Sequence, residues 1–489
     1  MELVFLGIDG LEFGVVPFPE RDRFTMMSGI TEELCLRGHK VSVYVPESFM
    51  KECLRIMGVE CVSIGEYNQS YTKEKYGAGM LSDLRIFVSN EHTRRNFNIF
   101  FALGLKTALK KAHSLPDGLI VDIETWGVDT LARSLHIPSI FLWSSPQWPV
   151  QMNPSFPSPG SGLSVRMSGM QRLKNYFVQR LNYWIAKMQN TKMDGSYESF
   201  ETLLYRRHII APFVFGLDVA QPFCPNVHSV GFLSPRSRET ESINSIWMAW
   251  MNGCTDGILY ISLGYISRFP SEWTRALYES VEIFTKNTLM CVLWELPDDM
   301  HASLRDKNNE TRFRIFSSYL VSQRSILKHK NTKAFLTHCG GTSVYEAVKS
   351  GVPILGLGFS PDRMDICVRA RNAGLGVVLD KGALHPAYFI NEVMQIKDNL
   401  DIFSNLTKIR RMGYVMGGSR RAADVVELVV SLGIDNEDFF CRFTQLPFIE
   451  QHDLDVLFAI SGVVAMVIFA IVKVICRGKL AKETHRKQD

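Results

Sequence analysis

The sequence predicts an α/β protein: two doubly wound, Rossmann-like domains facing a cleft, followed by one C-terminal transmembrane helix. Three observations predict it. Apolar, β-branched runs alternate with helix-length segments through both halves of the chain, which is the rhythm of βαβ units and a parallel sheet. The stretch QPFCPNVHSVGFLSPRSRET interrupts that rhythm with prolines and polar residues and reads as a link between two such domains. Near the end, Val456 to Val472 form a charge-free apolar run, just long enough to cross a hydrocarbon layer of roughly 30 Å.

The elements follow in order. EFGVVPF is the first strand candidate, and a helix is expected from Thr25 to Arg37, because Met26, Met27, Ile30 and Leu34 share a face and Gly38 stands where a C-terminal cap belongs. KVSVYV, GLIVDI and SIFLW continue the first sheet. Between Leu163 and Gln189, Phe177, Leu181, Trp184, Ile185 and Met188 make an apolar helical stripe beside Lys174, Arg180 and Lys187. Packing on the core is the expected use of that stripe, with a membrane-surface helix as the alternative. After the link, GILYISLG, TLMCVLWEL, RFRIF, KAFLTH, VPILGLGF and GLGVVLD give six strand candidates for a second sheet. The expected domains are residues 1–235 and 236–435, then a juxtamembrane segment 436–453, the helix 454–476 and a basic tail 477–489.

Composition narrows the function. With 46% hydrophobic and 21% charged residues the chain can bury a large core, and its net charge of +4 is spread thinly except at the tail, so nucleic acid is not an expected partner. The ten cysteines lie far apart without a CxxC pair or zinc-type Cys/His spacing; no metal site is expected, and burial or incidental pairing is. EQHD precedes the apolar run and RGKLAKETHRKQD follows it, which places the tail in the cytosol and the body in the lumen, on a single-pass membrane protein. Sequons at Asn68, Asn309 and Asn405 are compatible with that side. Export needs a signal, yet MELVFLGIDGLEFGVVPFP holds only a short apolar run interrupted by Asp9 and Glu12. A different true N-terminus is the expectation, and tail-anchor insertion with a cytosolic body is the alternative. Arg486 and Lys487 in HRKQD stand where a dilysine-like retrieval signal would, which points to the endoplasmic reticulum, although such tails also serve simply to set topology.

Ligands of open parallel sheets bind beyond the carboxyl ends of the strands. KAFLT reads as a strand and SVYEAVKSG as a helix, so HCGGT is a strand-to-helix turn at such an edge. Gly340 and Gly341 let an anion approach the backbone, and the amides and positive dipole end of the helix stabilise phosphate there. His338 is placed to donate to a phosphate oxygen. Two structural readings stay open beside this one: Ser343 and Glu346 have the S-x-x-E spacing of a capping box, and a lone histidine at a strand end is commonly structural.

The segment THCGGTSVYEAVKSGVPILGLGFSPDRMDICVRARNAGLGVVLD resembles the signature of the UDP-glycosyltransferase family, most of all its membrane-bound animal UDP-glucuronosyltransferases. The likeness extends through ITEELCLRGHKVSVYVP, IVDIETWGVDTLARSLHIPSIF, QPFCPNVHSVGFL and GILYISLG to the C-terminal anchor. It implies a GT-B architecture in which the N-terminal domain selects a small lipophilic acceptor and the C-terminal domain binds a UDP-sugar. Transfer is inverting, and the nucleotide sugar is a co-substrate, so no cofactor is implied. The resemblance places the donor diphosphate on His338 and the backbone of Cys339, Gly340, Gly341, Thr342 and Ser343. It places the ribose hydroxyls on Glu346, the uracil edge on Gln323 and the sugar hydroxyls on Asp362. Several positions depart from the pattern: Arg363 stands where the family has glutamine, Leu320 (beside Tyr319) where it has a stacking tryptophan, and Tyr265 where it has a serine after SLG.

Inverting transfer to an alcohol needs a base for the hydroxyl proton. The family's base is a histidine, and counting fifteen residues back from Gly38 reaches Arg23, whereas Asp122 matches the aspartate that orients it. Arginine cannot take a proton at neutral pH, so Asp122 acting directly, or Asp22, is the substitute base. Two functions follow: a membrane-anchored transferase of glucuronate or another hexose, and a catalytically degenerate relative that binds a ligand or a partner. An oligomer is compatible with either.

Overall fold

A computed structural model describes residues 10–67, 80–143, 156–188, 190–193, 196–199, 204–220, 223–236, 243–264, 271–296, 312–316, 322–433, 439, 449 and 454–485. The first sheet contains β1 (Glu12–Val16), β2 (Lys40–Val45), β3 (Glu60–Ser63), β4 (Gly118–Asp122), β5 (Ser139–Leu142), β8 (His208–Ala211) and β9 (Val227–Ser229), with a separate hairpin of β6 (Asn190–Met193) and β7 (Ser196–Ser199). Its order is β3-β2-β1-β4-β5-β8-β9, all parallel. The helices of this half are α1 (Arg21–Leu36), α2 (Met50–Cys53), α3 (Met80–Lys111), α4 (Val128–Ser134) and α5 (Gly169–Met188).

The second sheet holds β10 (Ile258–Ser262), β11 (Cys291–Glu295), β12 (Phe313–Phe316), β13 (Thr332–Thr337), β14 (Ile354–Gly356) and β15 (Gly376–Val378). All six strand candidates are therefore present, parallel, in the order β12-β11-β10-β13-β14-β15. Around them lie α6 (Ser245–Gly253), α7 (Ser271–Asn287), α8 (Gln323–Lys328), α9 (Gly341–Ser350), α10 (Pro361–Asn372), α11 (Pro386–Lys397), α12 (Leu400–Val415) and α13 (Ser419–Leu432). Each sheet reverses its strand order next to its first strand, between β1 and β4 and between β10 and β13. Those crevices are where a doubly wound fold receives ligands.

β10 and β13 are almost wholly buried, as central parallel strands covered on both faces must be. Three differences from the sequence reading have physical causes. α1 begins at Arg21 rather than Thr25, its first turn carrying an Arg23–Glu20 pair. Gly38, at φ 91°, ends it as expected. The linking stretch contains β9, a three-residue edge strand too short to show a pattern. On α5, Phe177 is 64% exposed and Leu181 45%, so this part of the apolar stripe does not pack on the core; the side chains of Trp184, Ile185 and Met188 lie outside the described residues.

The last helix of the second half returns to the first. Ala422, Ala423, Val425, Val426 and Val429 of α13 join the core formed by α1 and one face of the first sheet. Arg37 seals the contact, with Nη1 on Glu427 and Nη2 on Asp424, both at 2.8 Å, and His39 Nε2 lies 3.0 Å from Glu427. Of the sequons, Asn405 lies on α12 with its amide nitrogen donating to the Gly374 carbonyl, while Asn68 and Asn309 are outside the described residues. Residues 439–489 form a separate compact unit. Its helix α14 (Leu454–His485) includes Leu454–Lys473, a stretch of 20 residues with mean hydropathy 2.6, long and apolar enough to cross a membrane.

Candidate functional site

The chain after β13 turns sharply. Thr337 is fully buried and its hydroxyl accepts from the Cys339 amide at 3.2 Å. Cys339 then adopts φ 63°, a left-handed conformation uncommon for a residue with a side chain. Helix α9 starts at Gly341, with Gly340 as its N-cap, and no side chain caps it. This settles the capping-box alternative. Ser343 is the third residue of the helix rather than the residue before it, so its hydroxyl is not the cap, and the first amides of α9 are left to another acceptor.

His338 lies against this turn and is 4% exposed. A Cβ built on Gly340 would stand 3.0 Å from its Nε2, and one on Gly264, in the turn after β10, 2.8 Å from it. Only glycines let the two backbone turns close on the imidazole from β10 and β13, the strands that flank the crevice. The other ring nitrogen, Nδ1, is buried without a partner. A buried, unpaired imidazole nitrogen costs free energy unless a ligand supplies the missing bond. Arg363, on the first turn of α10, brings Nη1 within 3.4 Å of the same Gly340 Cβ position, so a guanidinium stands over the turn. Asp362 precedes it on the exposed side of α10.

The residues expected at the nucleoside are also gathered, although they are engaged with one another. Gln323 opens α8, and its amide nitrogen donates to Glu346 at 2.7 Å and to the Ser343 hydroxyl at 3.3 Å. Arg324, 6% exposed, places Nη2 3.6 Å from the other Glu346 oxygen, while its Nη1 is buried without a partner. Glu346 is thus neutralised and oriented with lone pairs remaining for a hydroxyl donor. Sequence reasoning did not find Arg324, since nothing in SQRSIL separates it from any surface arginine. Nor did it find Glu295, which ends β11 and accepts from the buried Tyr260 hydroxyl.

At the corresponding edge of the first sheet, Asp122 ends β4 with no exposed surface. Its Oδ1 accepts from the Glu124 amide at 2.9 Å and from Arg23 Nη1 at 3.2 Å. Arg23 spends its remaining edges on Glu20 at 3.1 Å and Glu124 at 3.4 Å, and stacks over Phe18. Arg23, at the position where a base was expected, and Asp122, expected to orient it, are therefore partners. Burial pushes the Asp122 carboxyl up to about 6, against the pull of Arg23, and its Oδ2 has no partner. Asp22 lies on α1 with its side chain outside the described residues; Tyr265, Tyr319 and Leu320 are outside them altogether.

A clasp joins the two halves beside the site. Asp365 on α10 accepts from the amides of Gly160 and Gly162, at 2.6 and 2.5 Å, in the loop that precedes α5. A disulfide, Cys339–Cys367, ties the anion turn to the same helix.

The profile of the UDP-glucoronosyl and UDP-glucosyl transferase family matches residues 106–487. Among curated proteins, UDP-glucuronosyltransferase 1-2 of Mus musculus is 24% identical over 95% of this chain and 91% of its own length. UDP-glucuronosyltransferase 2B15 of Homo sapiens is 24% identical over 96% and 94%. Among solved structures, Os79 from O. sativa in complex with UDP superposes with a TM-score of 0.62 at 15% identity, covering 86% of this chain and 99% of its own. The glycosyltransferase of kitacinnamycin superposes with a TM-score of 0.61 at 17% identity over 86% and 99%. These structural likenesses establish the GT-B fold.

Proposed function

Since the chain belongs to the UDP-glucoronosyl and UDP-glucosyl transferase family, we propose that it moves glucuronate or another hexose from a UDP-sugar to a small lipophilic acceptor, with inversion. One observation carries the donor half of this reading: a helix N-terminus without a side-chain cap, beside a buried histidine nitrogen that lacks a partner. The diphosphate would accept hydrogen bonds from the first amides of α9 and from His338, with Arg363 over the turn to hold further negative charge, a carboxylated sugar included. Gln323 and Glu346 would hold the base and the ribose, and Asp362 the sugar hydroxyls.

In the transfer the acceptor oxygen attacks the anomeric carbon, the bond from that carbon to the β-phosphate oxygen breaks, and UDP leaves with the electron pair. The acceptor proton must go to a base. Arg23 cannot take it, so the role falls to Asp122 at its unpartnered Oδ2, which is charged above about pH 6. A positioned base contributes about 10² to 10⁴ in rate; with a buried, arginine-paired carboxylate in place of a histidine, alcohols react more slowly here than acceptors that are already nucleophilic.

The protein in this reading is anchored by Leu454–Lys473 with its body in the lumen of the endoplasmic reticulum. Disulfides Cys53–Cys61, Cys254–Cys291 and Cys339–Cys367 support an oxidising compartment. The exposed ridge of α5 supports a second contact with lipid: Met170, Leu173, Phe177 and Leu181 lie beside Arg172, Lys174 and Arg180 on a helix without a single acidic residue.

A second reading has its own support. Arg23 fills the base position and closes a net of three carboxylates, which suits a relative that binds nucleotide sugars without turnover. Calorimetry with UDP, UDP-glucuronate and UDP-glucose, followed by transfer assays with phenol and amine acceptors, separates the two. Binding with turnover supports the transferase; binding without turnover on any acceptor supports the relative; no binding of UDP rejects both donor-site readings.

A further inference from the structure

We propose that the Cys339–Cys367 disulfide is a positioning element of the donor site, and that donor affinity depends on its redox state; this rests on the reading of the HCGG turn as the diphosphate site. The bridge joins two elements that both face the donor. Cys339 is the second residue of the turn, and Cys367 lies two residues beyond Asp365 on the helix whose first turn carries Asp362 and Arg363. Both sulfurs are buried, with Cys339 at 0% and Cys367 at 1% exposure. The site is built around them: a Cβ on Gly356, at the end of β14, would stand 2.8 Å from each sulfur, so a side chain there would expel the bridge.

The bridge restrains backbone that would otherwise relax. Cys339 holds φ 63°, a conformation that is strained for a residue with a Cβ and persists only where its surroundings impose it. Its amide is held by the Thr337 hydroxyl, and its side chain is held by the bridge. That conformation sets the direction in which the chain enters α9. The same bridge fixes the distance from the turn to α10, and so keeps the Arg363 guanidinium over Gly340. A dithiol breaks it by supplying two electrons and two protons, leaving two thiols and itself becoming a cyclic disulfide. The turn then loses its restraint, and UDP binding must first restore it. By linkage, bound UDP shifts the equilibrium toward the disulfide.

Four forms of the full-length protein test this by calorimetry with UDP: oxidised, reduced with dithiothreitol, Cys339→Ala/Cys367→Ala and Cys339→Gly/Cys367→Ala. Reduction and the alanine pair each weaken UDP binding roughly tenfold, the effect of a left-handed residue released from its restraint. The glycine pair recovers most of the loss, because glycine takes a positive φ without strain, and its affinity does not respond to dithiothreitol. A purely stabilising crosslink would lower the melting temperature of both pairs alike and leave the glycine pair no tighter than the alanine pair. Equal UDP affinity in all four forms overturns the proposal, as does a response of the glycine pair to dithiothreitol, which would place the effect at another disulfide. Failure of every form to bind UDP, the oxidised protein included, rejects the donor-site reading itself.

Discussion

At the scale of single residues, the arrangement at the base position is the most informative. Arg23 gives each edge of its guanidinium to a carboxylate, and Asp122 keeps one oxygen unpaired. Replacing Arg23 with histidine returns a group that titrates near neutral pH to a site where Asp122 can orient it. Turnover of a phenol by Arg23→His is expected to rise about 100-fold or more while UDP affinity stays constant, as steady-state kinetics and calorimetry would show. An unchanged rate would mean that acceptors do not approach Asp122 at all. Asp122 also makes stability depend on pH. Its folded pKa, about 6, lies above the ordinary carboxylate value, so its contribution is intact in acid and is lost as pH rises through 6. The stability of wild type relative to Asp122→Asn should therefore fall between pH 4 and 6, by on the order of 3 kcal/mol, in urea titrations. The strand-to-helix turn pointed to His338, and the family resemblance pointed to Asp122, Gln323 and Glu346. Neither revealed Glu20, Glu124, Gly264 or Arg324, whose roles come from neighbours distant in sequence.

At the scale of elements, strands were legible where apolar β-branched residues run together, as in GILYIS or KAFLT, and hidden where they are short, as in β9. Helix α9 was legible in type but not in its first residue, and that difference carries chemistry: starting at Gly341 leaves its amides without the expected serine cap. Space at this end is equally constrained. Gly340 has an ordinary φ of −59°, so alanine would be tolerated by the backbone and would act only by crowding His338 and Arg363. Gly340→Ala should weaken UDP binding by roughly 1 to 3 kcal/mol, the usual cost of overfilling a packed site, without changing the circular dichroism spectrum. The face of α5 could not be read from its stripe, because periodicity reports that a helix has an apolar side and not what covers it. A nitroxide at Phe177→Cys, in a Cys35→Ser background and in nanodiscs, should collide more often with oxygen than with a water-soluble nickel chelate. Leu181→Glu should reverse that ratio, and a label that prefers nickel from the start would remove the lipid contact.

At the scale of the whole molecule, several contacts hold the halves together, among them Asp218, after β8, which accepts from Tyr345 of α9 and Arg369 of α10; two further fastenings flank the fold, and neither was visible in the sequence. At the back, α13 buries its valines against the first sheet while Arg37 and His39 engage Glu427. An amphipathic helix of this kind suits either sheet, so its choice is made only by complementary shape and charge across almost 400 residues of chain. At the front, Asp365 holds the Gly160 and Gly162 amides of the loop preceding α5, next to the donor helix that carries Arg363. Hydrogen bonds from two amides to one carboxylate are among the stronger polar contacts, and here they fix how the acceptor half meets the donor half. The proposed donor site is assembled entirely within the second half, from α8, α9, α10 and the turn after β10. In the proposed mechanism transfer needs both halves, since the proposed base Asp122 belongs to the first. Asp365→Ala should therefore separate the two properties: acceptor kcat/KM falls about 10-fold to 100-fold through loss of alignment, while UDP affinity changes by less than about threefold. If UDP affinity and turnover fell together, the clasp would be a support of the donor pocket and not a hinge point between the domains.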